Sequence, residues 1–280
     1  MHAKANRGTE KPDVPSTPVD TTRAIRAESA RFVLQYQRTR ATLTRWREPL
    51  VGVASASDPL FRSLASAVGP AHALPQDLLR GAATVVAFFV PFTEETTRSN
   101  ARGEEASREW ARAYIETNRL IADLSRHLAE YLESFGHAVR TMPATHRFDR
   151  RTLVSAWSHR HVAYIAGLGT FGLNNMLITR HGCCGRLGSL ITTLEMEADP
   201  RPATEACLYY RFGGTCRQCV ARCRWGALYP QGFDRHRCYE ICLSNERRFK
   251  AMGKADVCGK CLVGIPCSHE IPAGAPRGRP

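Results

Sequence analysis

The sequence predicts an α/β (α+β) protein in two parts. A larger domain of mixed helices and strands spans residues 23–200, and a small cysteine-rich domain spans residues 201–271. Three observations predict it. Nine of the eleven cysteines fall between positions 207 and 267, and none precedes Cys183. An apolar, β-rich run over residues 83–92 reads as a strand buried on both faces, hence central in a sheet. Trp110, Tyr114, Thr117, Ile121, Leu124, Leu128, Tyr131 and Phe135 recur at alternating steps of four and three, the stripe of one long amphipathic helix.

Residues 1–22 are polar and Pro-rich and read as a disordered tail, with residues 272–280 a second tail. A helix is expected over residues 23–46, with Ile25, Phe32, Tyr36 and Leu43 on one stripe and Pro49 as its stop. Asp58-Pro59 supplies a cap and a first-turn residue for a second helix carrying Leu60 and Leu64. Residues 74–81 form a turn or short helix leading into the central strand. The long helix then covers residues 106–135, and Gly136 closes it. Residues 137–142 read as a strand, and residues 158–161 as an extended or irregular segment. A last strand over residues 188–197 closes the larger domain before Pro200 and Pro202.

Composition narrows the function classes. The longest strongly apolar run covers residues 82–92, too short for a membrane helix, which needs about 20 residues. The N-terminal residues lack the apolar core of a signal peptide. The expectation is a cytoplasmic protein with no membrane partner. A formal charge of +13 falls to roughly +9 if two four-thiolate cubane clusters, each about −2, are bound. Basic groups such as Arg147, Arg150 and Arg151, or Arg247, Arg248 and Lys250, suit RNA phosphate or an acidic redox partner, or form a solvated face. The run Gly167-Leu168-Gly169-Thr170-Phe171-Gly172 formally matches a dinucleotide-binding fingerprint. No helix can follow it, because Gly182, Gly185 and Gly188 interrupt the chain. A glycine loop that brings backbone against a flat ligand or a cluster is the better reading. Gly167, Gly169, Gly172 and Asn174 are its candidate cofactor-binding residues.

The cysteines form two unequal copies of one pattern: Cys207, Cys216, Cys219 and Cys223, then Cys238, Cys258, Cys261 and Cys267. Each copy holds an isolated cysteine, a C-x2-C pair and a fourth cysteine. Disulfides, two four-cysteine zinc sites and two [4Fe–4S] clusters compete for this array. Local detail favours clusters. Cys223 opens Cys-Arg-Trp-Gly-Ala-Leu, close to a ferredoxin turn, and Pro266 precedes Cys267. In two-cluster ferredoxins the fourth cysteine of each run ligates the other cluster. Cluster one would then take Cys207, Cys216, Cys219 and Cys267, and cluster two Cys223, Cys238, Cys258 and Cys261. Cys242 is left over and competes with Cys238. Cys183-Cys184 reads as a redox-active pair, a thiol facing a cofactor, or two cysteines packed in a turn. His159 and His161 read as metal ligands or hydrogen-bonded structural histidines.

On residues 166–172, the following Leu177-Ile178-Thr179, the strand at 190–194 and the cysteine runs, the chain resembles the epoxyqueuosine reductase family, closest to its short iron–sulfur relatives. Leu78-Leu79-Arg80-Gly81 before Val85-Val86 resembles the family's earlier strand entry. The resemblance spans roughly residues 45–270. It implies a nitroreductase-like, cobalamin-type domain followed by a ferredoxin-like two-cluster domain. Electrons from a low-potential donor would pass through the clusters to a corrinoid. Two departures separate the chain from a reductase acting on tRNA. Arg112-Ala113-Tyr114-Ile115 stands where the family carries an acid, and no helical-repeat tail is expected before Pro280. The functional expectation is an iron–sulfur oxidoreductase acting on an unidentified substrate. Its alternatives are an electron-transfer partner without its own catalysis and an epoxyqueuosine reductase.

Overall fold

A computed structural model of the chain describes residues 17–144 and 148–274. The first elements are α1 (Pro18–Thr39), β1 (Leu50–Ser55), α2 (Leu60–Ala67), α3 (Pro75–Leu78), β2 (Thr84–Pro91), α4 (Glu94–Ser99) and α5 (Arg108–Glu133). Then come β3 (Val139–Met142), α6 (His159–Ile165), β4 (Gly169–Phe171), β5 (Leu177–Thr179) and β6 (Gly185–Thr192). The cysteine-rich part holds α7 (Leu208–Arg211), α8 (Gln218–Arg222), the hairpin β7 (Leu228–Tyr229) and β8 (Gly232–Phe233), and α9 (Arg235–Arg248). Short 3-10 turns at Lys250–Met252 and Lys260–Leu262 follow. The predicted mixture of helix and sheet is present.

Strand β2 lies inside an antiparallel sheet of order β1-β2-β6-β3, and all its residues are buried. Successive strand residues face opposite sides, and β2 divides accordingly. Val86, Phe88 and Val90 join a hydrophobic cluster closed by Ile25 and Val33 of α1 and Leu120, Leu124 and Leu128 of α5. Val85 and Ala87 join another, closed by Phe61 and Leu64 of α2 and Val162 and Ile165 of α6. Antiparallel sheets often leave one face to water; helices cover both here, so β2 needs no polar face. Each fully buried leucine of α5 contributes about 1.5–3 kcal/mol. The helix starts where Ser107 Oγ accepts the Trp110 N–H at 3.0 Å. It ends where Gly136, at φ +85°, donates to the Glu133 carbonyl.

Several expected boundaries move. Helix α1 begins at Pro18, because the Thr17 side chain accepts the Asp20 N–H. Residues 18–22 of the expected tail are therefore helical, while residues 1–16 lie outside the described residues, as do 275–280 of the second tail and Arg147. The helix stops at Thr39 rather than before Pro49. Glu116 of α5 accepts the N–H groups of Leu43 and Thr44, drawing the chain out of the helix and leaving Leu43 71% exposed. Strand β1, not expected, follows. Residues 159–161 form the first turn of α6 rather than an extended segment. The last strand runs from Gly185 to Thr192, earlier than predicted, because its N-terminal half pairs with the end of β2.

The cysteine-rich part packs on the N-terminal half of α5. Asn100 Nδ2 donates to the Cys258 carbonyl at 2.9 Å, and Asn245 joins Ala106 to Val257. The cluster that holds Leu120 and Phe88 also holds Ala206, Cys207, Leu262, Val263 and Ile265, so one core runs across position 200.

Candidate functional site

A cavity of ≈ 720 Å³ opens between the sheet domain and the cysteine-rich part. One wall comes from Trp110 and Tyr114 of α5, Arg186 and Leu187 of β6, and Ser158 to His161 around the start of α6. The other wall comes from Cys238, Tyr239 and Cys242 of α9 and from Asp256 and Cys258. Tyr210 and Phe233, 52% and 37% exposed, also border it, so the cavity meets solvent there. Its volume lies in the ~300–1,000 Å³ range of ligand sites.

All eleven cysteines are free thiols, and nine of them lie in the cysteine-rich part. Cys207, Cys216, Cys219 and Cys267 border one small, apolar pocket together with Leu173, Leu208, Ile265 and Pro266. Among the described residues no charged side chain lines that pocket. In the second group, Cys261 and Cys258 each lie within electrostatic reach of Cys238 and Cys223. Burial pushes the Cys219 thiol up to about 12 and the Cys258 thiol up to about 11. Without iron these thiols hold their protons at neutral pH, so loading must release them. Cys238 and Cys242, one helical turn apart on α9, are hydrogen-bonded. That bond, and then the Arg160 guanidinium, hold Cys238 below the ordinary thiol range, while Cys242 keeps its proton.

The surroundings of the second group contain a buried cation without an ion pair among the described residues and N–H donors without acceptors. Lys260, between Cys258 and Cys261 in the chain, is 2% exposed and donates to the Asn100 and Arg102 carbonyls at 2.9 and 2.7 Å. Among the described residues it makes no ion pair. A buried cation without an anion is costly. Nearby, Trp110 Nε1, Arg222 Nε and Trp225 Nε1 are buried N–H donors without acceptors. Trp110 packs directly on Gly259, and Arg222 and Trp225 flank Cys223 in sequence. An anionic cluster with sulfide acceptors fits this donor set; a neutral apolar filling does not.

Within the cavity, Tyr114 donates to Asp256 Oδ1 at 2.5 Å, and Arg186 lies 4.0 Å over its ring. Arg186 is itself held by Asn118 Oδ1 at 2.7 Å. Burial pushes the Tyr114 phenol far above its ordinary value, with Asp256 adding to the shift and Arg186 opposing it. The phenol therefore remains protonated. Ala113, where the family resemblance expects an acid, is fully buried in the helix interface. The sequence reading assigned Tyr114 to the core stripe, and Asp256 stands far from it in the chain. Only the docking of the cysteine-rich part joins them.

The other predicted residues are placed as follows. Gly172 borders both the small pocket and the large cavity. Gly167 and Gly169 border neither: a Cβ would meet Pro200 O at 2.6 Å in the first and Ile178 O at 2.1 Å in the second. These two permit the positive φ and the close β4–β5 pairing of a hairpin. Asn174 lines the small thiol pocket, and its neighbour Asn175 lines the large cavity. His159 engages Ser189 Oγ and Pro143 O through its two nitrogens, the arrangement of a structural histidine. His161 lines the cavity, with Nδ1 on Ser158 Oγ at 2.7 Å, and burial pushes it down to about 4. Cys183 and Cys184 are fully buried and do not border the cavity. Among the described residues no three His, Cys, Asp or Glu side chains are arranged around a single metal ion. No described helix is long and apolar enough to cross a membrane.

No protein-family model and no curated protein matches the chain. Solved structures do. The epoxyqueuosine reductase of Streptococcus thermophilus shares 18% identity and a TM-score of 0.53, covering 78% of this chain and 62% of that one. A Bacillus subtilis epoxyqueuosine reductase gives 18% and 0.52, covering 87% and 66%. The catabolic reductive dehalogenase NpRdhA gives 19% and 0.59, covering 95% of this chain but 34% of that one. The chain thus spans less than two thirds of the reductases and about a third of the dehalogenase. At these identities the likeness is one of fold. The fold is shared by epoxyqueuosine reductases, one of them solved with a modified tRNA stem loop, and by a dehalogenase described as B12-dependent. The resemblance read from the sequence is borne out at that level.

Proposed function

We propose that the protein is an iron–sulfur reductase of the cytoplasm in which two [4Fe–4S] clusters serve a corrinoid-binding cavity. Cys207, Cys216, Cys219 and Cys267 would hold the first cluster, and Cys223, Cys238, Cys258 and Cys261 the second. Cys238 is taken as the ligand because it opens the second copy of the cysteine pattern, with Cys242, one helical turn on, as its competitor. The observation that carries the reading is the ≈ 720 Å³ cavity walled by the sheet domain on one side and by Cys238 and Cys258 on the other. An electron-transfer partner without catalysis has no use for such a space.

A corrinoid bound there would supply low-valent cobalt able to reduce a substrate. Gly172, Asn175, Arg160 and Leu187 border the volume it would occupy. Tyr114 holds a proton at its phenol oxygen; Asp256 accepts its hydrogen bond, and Arg186 lies over its ring. The phenol is the group placed to protonate a substrate as it is reduced. Trp110, Trp157 and Phe171 exclude water from the same walls. A low-potential protein would donate the electrons.

Anaerobic reconstitution with iron, sulfide and cobalamin tests the reading. About eight iron and eight acid-labile sulfides per chain are expected, together with a spectral change on titration with cobalamin. Stoichiometric zinc without iron overturns the cluster assignment. Full iron with no cobalamin binding up to millimolar concentration leaves the electron-transfer partner.

A further inference from the structure

We infer that His161 is the axial ligand of the corrinoid cobalt, bound through Nε2 and held in place by Ser158. The inference rests on the preceding reading of the cavity as a corrinoid site. It chooses between the two roles, metal ligand or structural histidine, that the sequence leaves open for this residue.

The histidines around this wall differ in what their ring nitrogens do. His159 engages both, on Ser189 Oγ at 2.9 Å and on Pro143 O at 3.0 Å. His72, stacked on Trp157, also engages both: Nδ1 donates to Ala73 O at 3.0 Å, and Nε2 accepts the Ser158 N–H at 3.1 Å. His161 engages only Nδ1, on Ser158 Oγ at 2.7 Å. Its Nε2 has no hydrogen-bond partner among the described residues, and the side chain lines the ≈ 720 Å³ cavity. Nor is the ring needed as a helix cap. Ser158 is the N-cap of α6, and His161 stands at the third helical position. The N-cap N–H, to which a side chain at that position can reach back, is already taken by His72.

A neutral imidazole carries one N–H and one lone pair. With Nδ1–H donating to Ser158 Oγ, the lone pair falls on Nε2, the nitrogen left without a partner. A hydrogen bond at the far nitrogen is what fixes the tautomer and ring direction of a metal-bound histidine. Phe171, its centroid 4.8 Å away, packs on the ring. Burial, and then the Arg160 charge, keeps the imidazole unprotonated at neutral pH, so a metal has no proton to displace. Among the described residues no three metal-binding side chains are gathered here. A bare ion therefore has no cage, whereas cobalt in a corrin brings its own equatorial nitrogens and can take a single further donor.

The test is electron paramagnetic resonance of cob(II)alamin bound to the reconstituted protein, with the clusters left oxidised. Unlabelled protein is compared with protein carrying 15N-labelled histidine. An axial nitrogen splits the cobalt lines into triplets, and 15N turns these into doublets. Doublets in the labelled protein are expected. Triplets in both samples would make the cofactor's own base the ligand, and unsplit lines would mean no nitrogen ligand; either overturns the inference. His161→Ala should lose the splitting, or the cofactor with it, while keeping wild-type iron. Doublets that survive in labelled His161→Ala point to another histidine and also overturn it. Should that variant misfold, the labelled wild type decides alone. Ser158→Ala should keep the doublets and bind cobalamin about tenfold more weakly, the usual scale for removing the partner behind a metal-bound histidine. Unchanged affinity there overturns the part given to Ser158. Wild type that takes up full iron but no cobalamin defeats the functional reading itself, and titration shows this before any spectrum is taken.

Discussion

The two thiol groups lie in one small part of the molecule yet differ in what surrounds them. The first, around Cys207, Cys216, Cys219 and Cys267, lines a pocket of Leu, Ile and Pro with the neutral amides of Asn174 and Gln218 and no charged side chain. The second has buried Lys260 and the unpartnered N–H groups of Trp110, Arg222 and Trp225 in its surroundings, and Arg160 acts on Cys238. Only the second borders the large cavity. An anion is stabilised by fixed donors and cations more than by apolar contacts. Under the proposed function the difference gives directions: the second group would hold the more easily reduced cluster, next to the site of use, and the first would be the point of entry.

Ligand removal produces the largest effects. Cys219→Ser and Cys261→Ser should each reduce iron from about eight to about four per chain and abolish turnover. They should differ at the cavity. Cys261→Ser removes the cluster that adjoins the cavity wall and should weaken cobalamin binding, whereas Cys219→Ser should leave it near wild type. Equal weakening in both would erase the distinction. Cys242→Ser should keep both clusters; losing one there while Cys238→Ser keeps both would reverse the choice between those two cysteines.

The next effect falls on turnover alone. Tyr114→Phe removes the phenol proton but leaves the ring under Arg186. A rate loss of about 100-fold is expected, within the usual range for a general acid, with iron content and cobalamin affinity unchanged. An unaltered rate would remove Tyr114 from the chemistry and leave the cavity without an identified proton source.

How much of this was legible beforehand differs between the same regions. The cysteine-rich part was legible from spacing, because two C-x2-C pairs within 61 residues mark a local array; which cysteine completes each set is carried by the crossover rule of two-cluster ferredoxins. Strand β2 and helix α5 were legible because their periodicities are long and unbroken. Strand β1 was not: Gly52, Ala54 and Ser55 weaken its β signal, and Gly52 is required because a Cβ would meet Ala166 O at 2.2 Å. The Tyr114–Asp256 pair spans 142 residues, and nothing in the local pattern of α5 separates Tyr114 from a core aromatic. The glycine run shows the opposite error. Its sequence suggests a surface bared for a ligand, but Gly167 and Gly169 are bare because carbonyls of Pro200 and Ile178 already occupy the space.

A subtler lesion tests the electrostatic half of the comparison. Lys260→Met keeps the length of the side chain and deletes its charge. A unit charge a few ångströms away, at an effective dielectric near 20, is worth ~2–4 kcal/mol. The midpoint of the second cluster should fall, by the equivalent of roughly 1–2 kcal/mol after relaxation, while the first stays in place. A shift of both midpoints together would mean that the buried lysine acts on the whole region, and that the contrast drawn from its position is false.

The smallest expected effect concerns pH at the cavity, where the first thiol pocket again serves as the control. His161 is pushed down to about 4, chiefly by burial and then by Arg160 and His72. Its ordinary value is near 6.5. The folded chain thus holds His161 neutral where the unfolded chain would protonate it. The resulting stabilisation is full above about pH 6.5 and is lost as pH falls from there towards 4. His72 and His159 are shifted in the same direction, so acidification should loosen this wall of the cavity as a unit. Hydrogen exchange of peptides covering residues 158–172, corrected for intrinsic rates, should rise between pH 7 and pH 5. His161→Asn should reduce that rise without abolishing it. Peptides around Cys207 and Cys219, with no histidine in the pocket wall, should change little. An equal rise in both regions would show that the loss is global and not seated at His161.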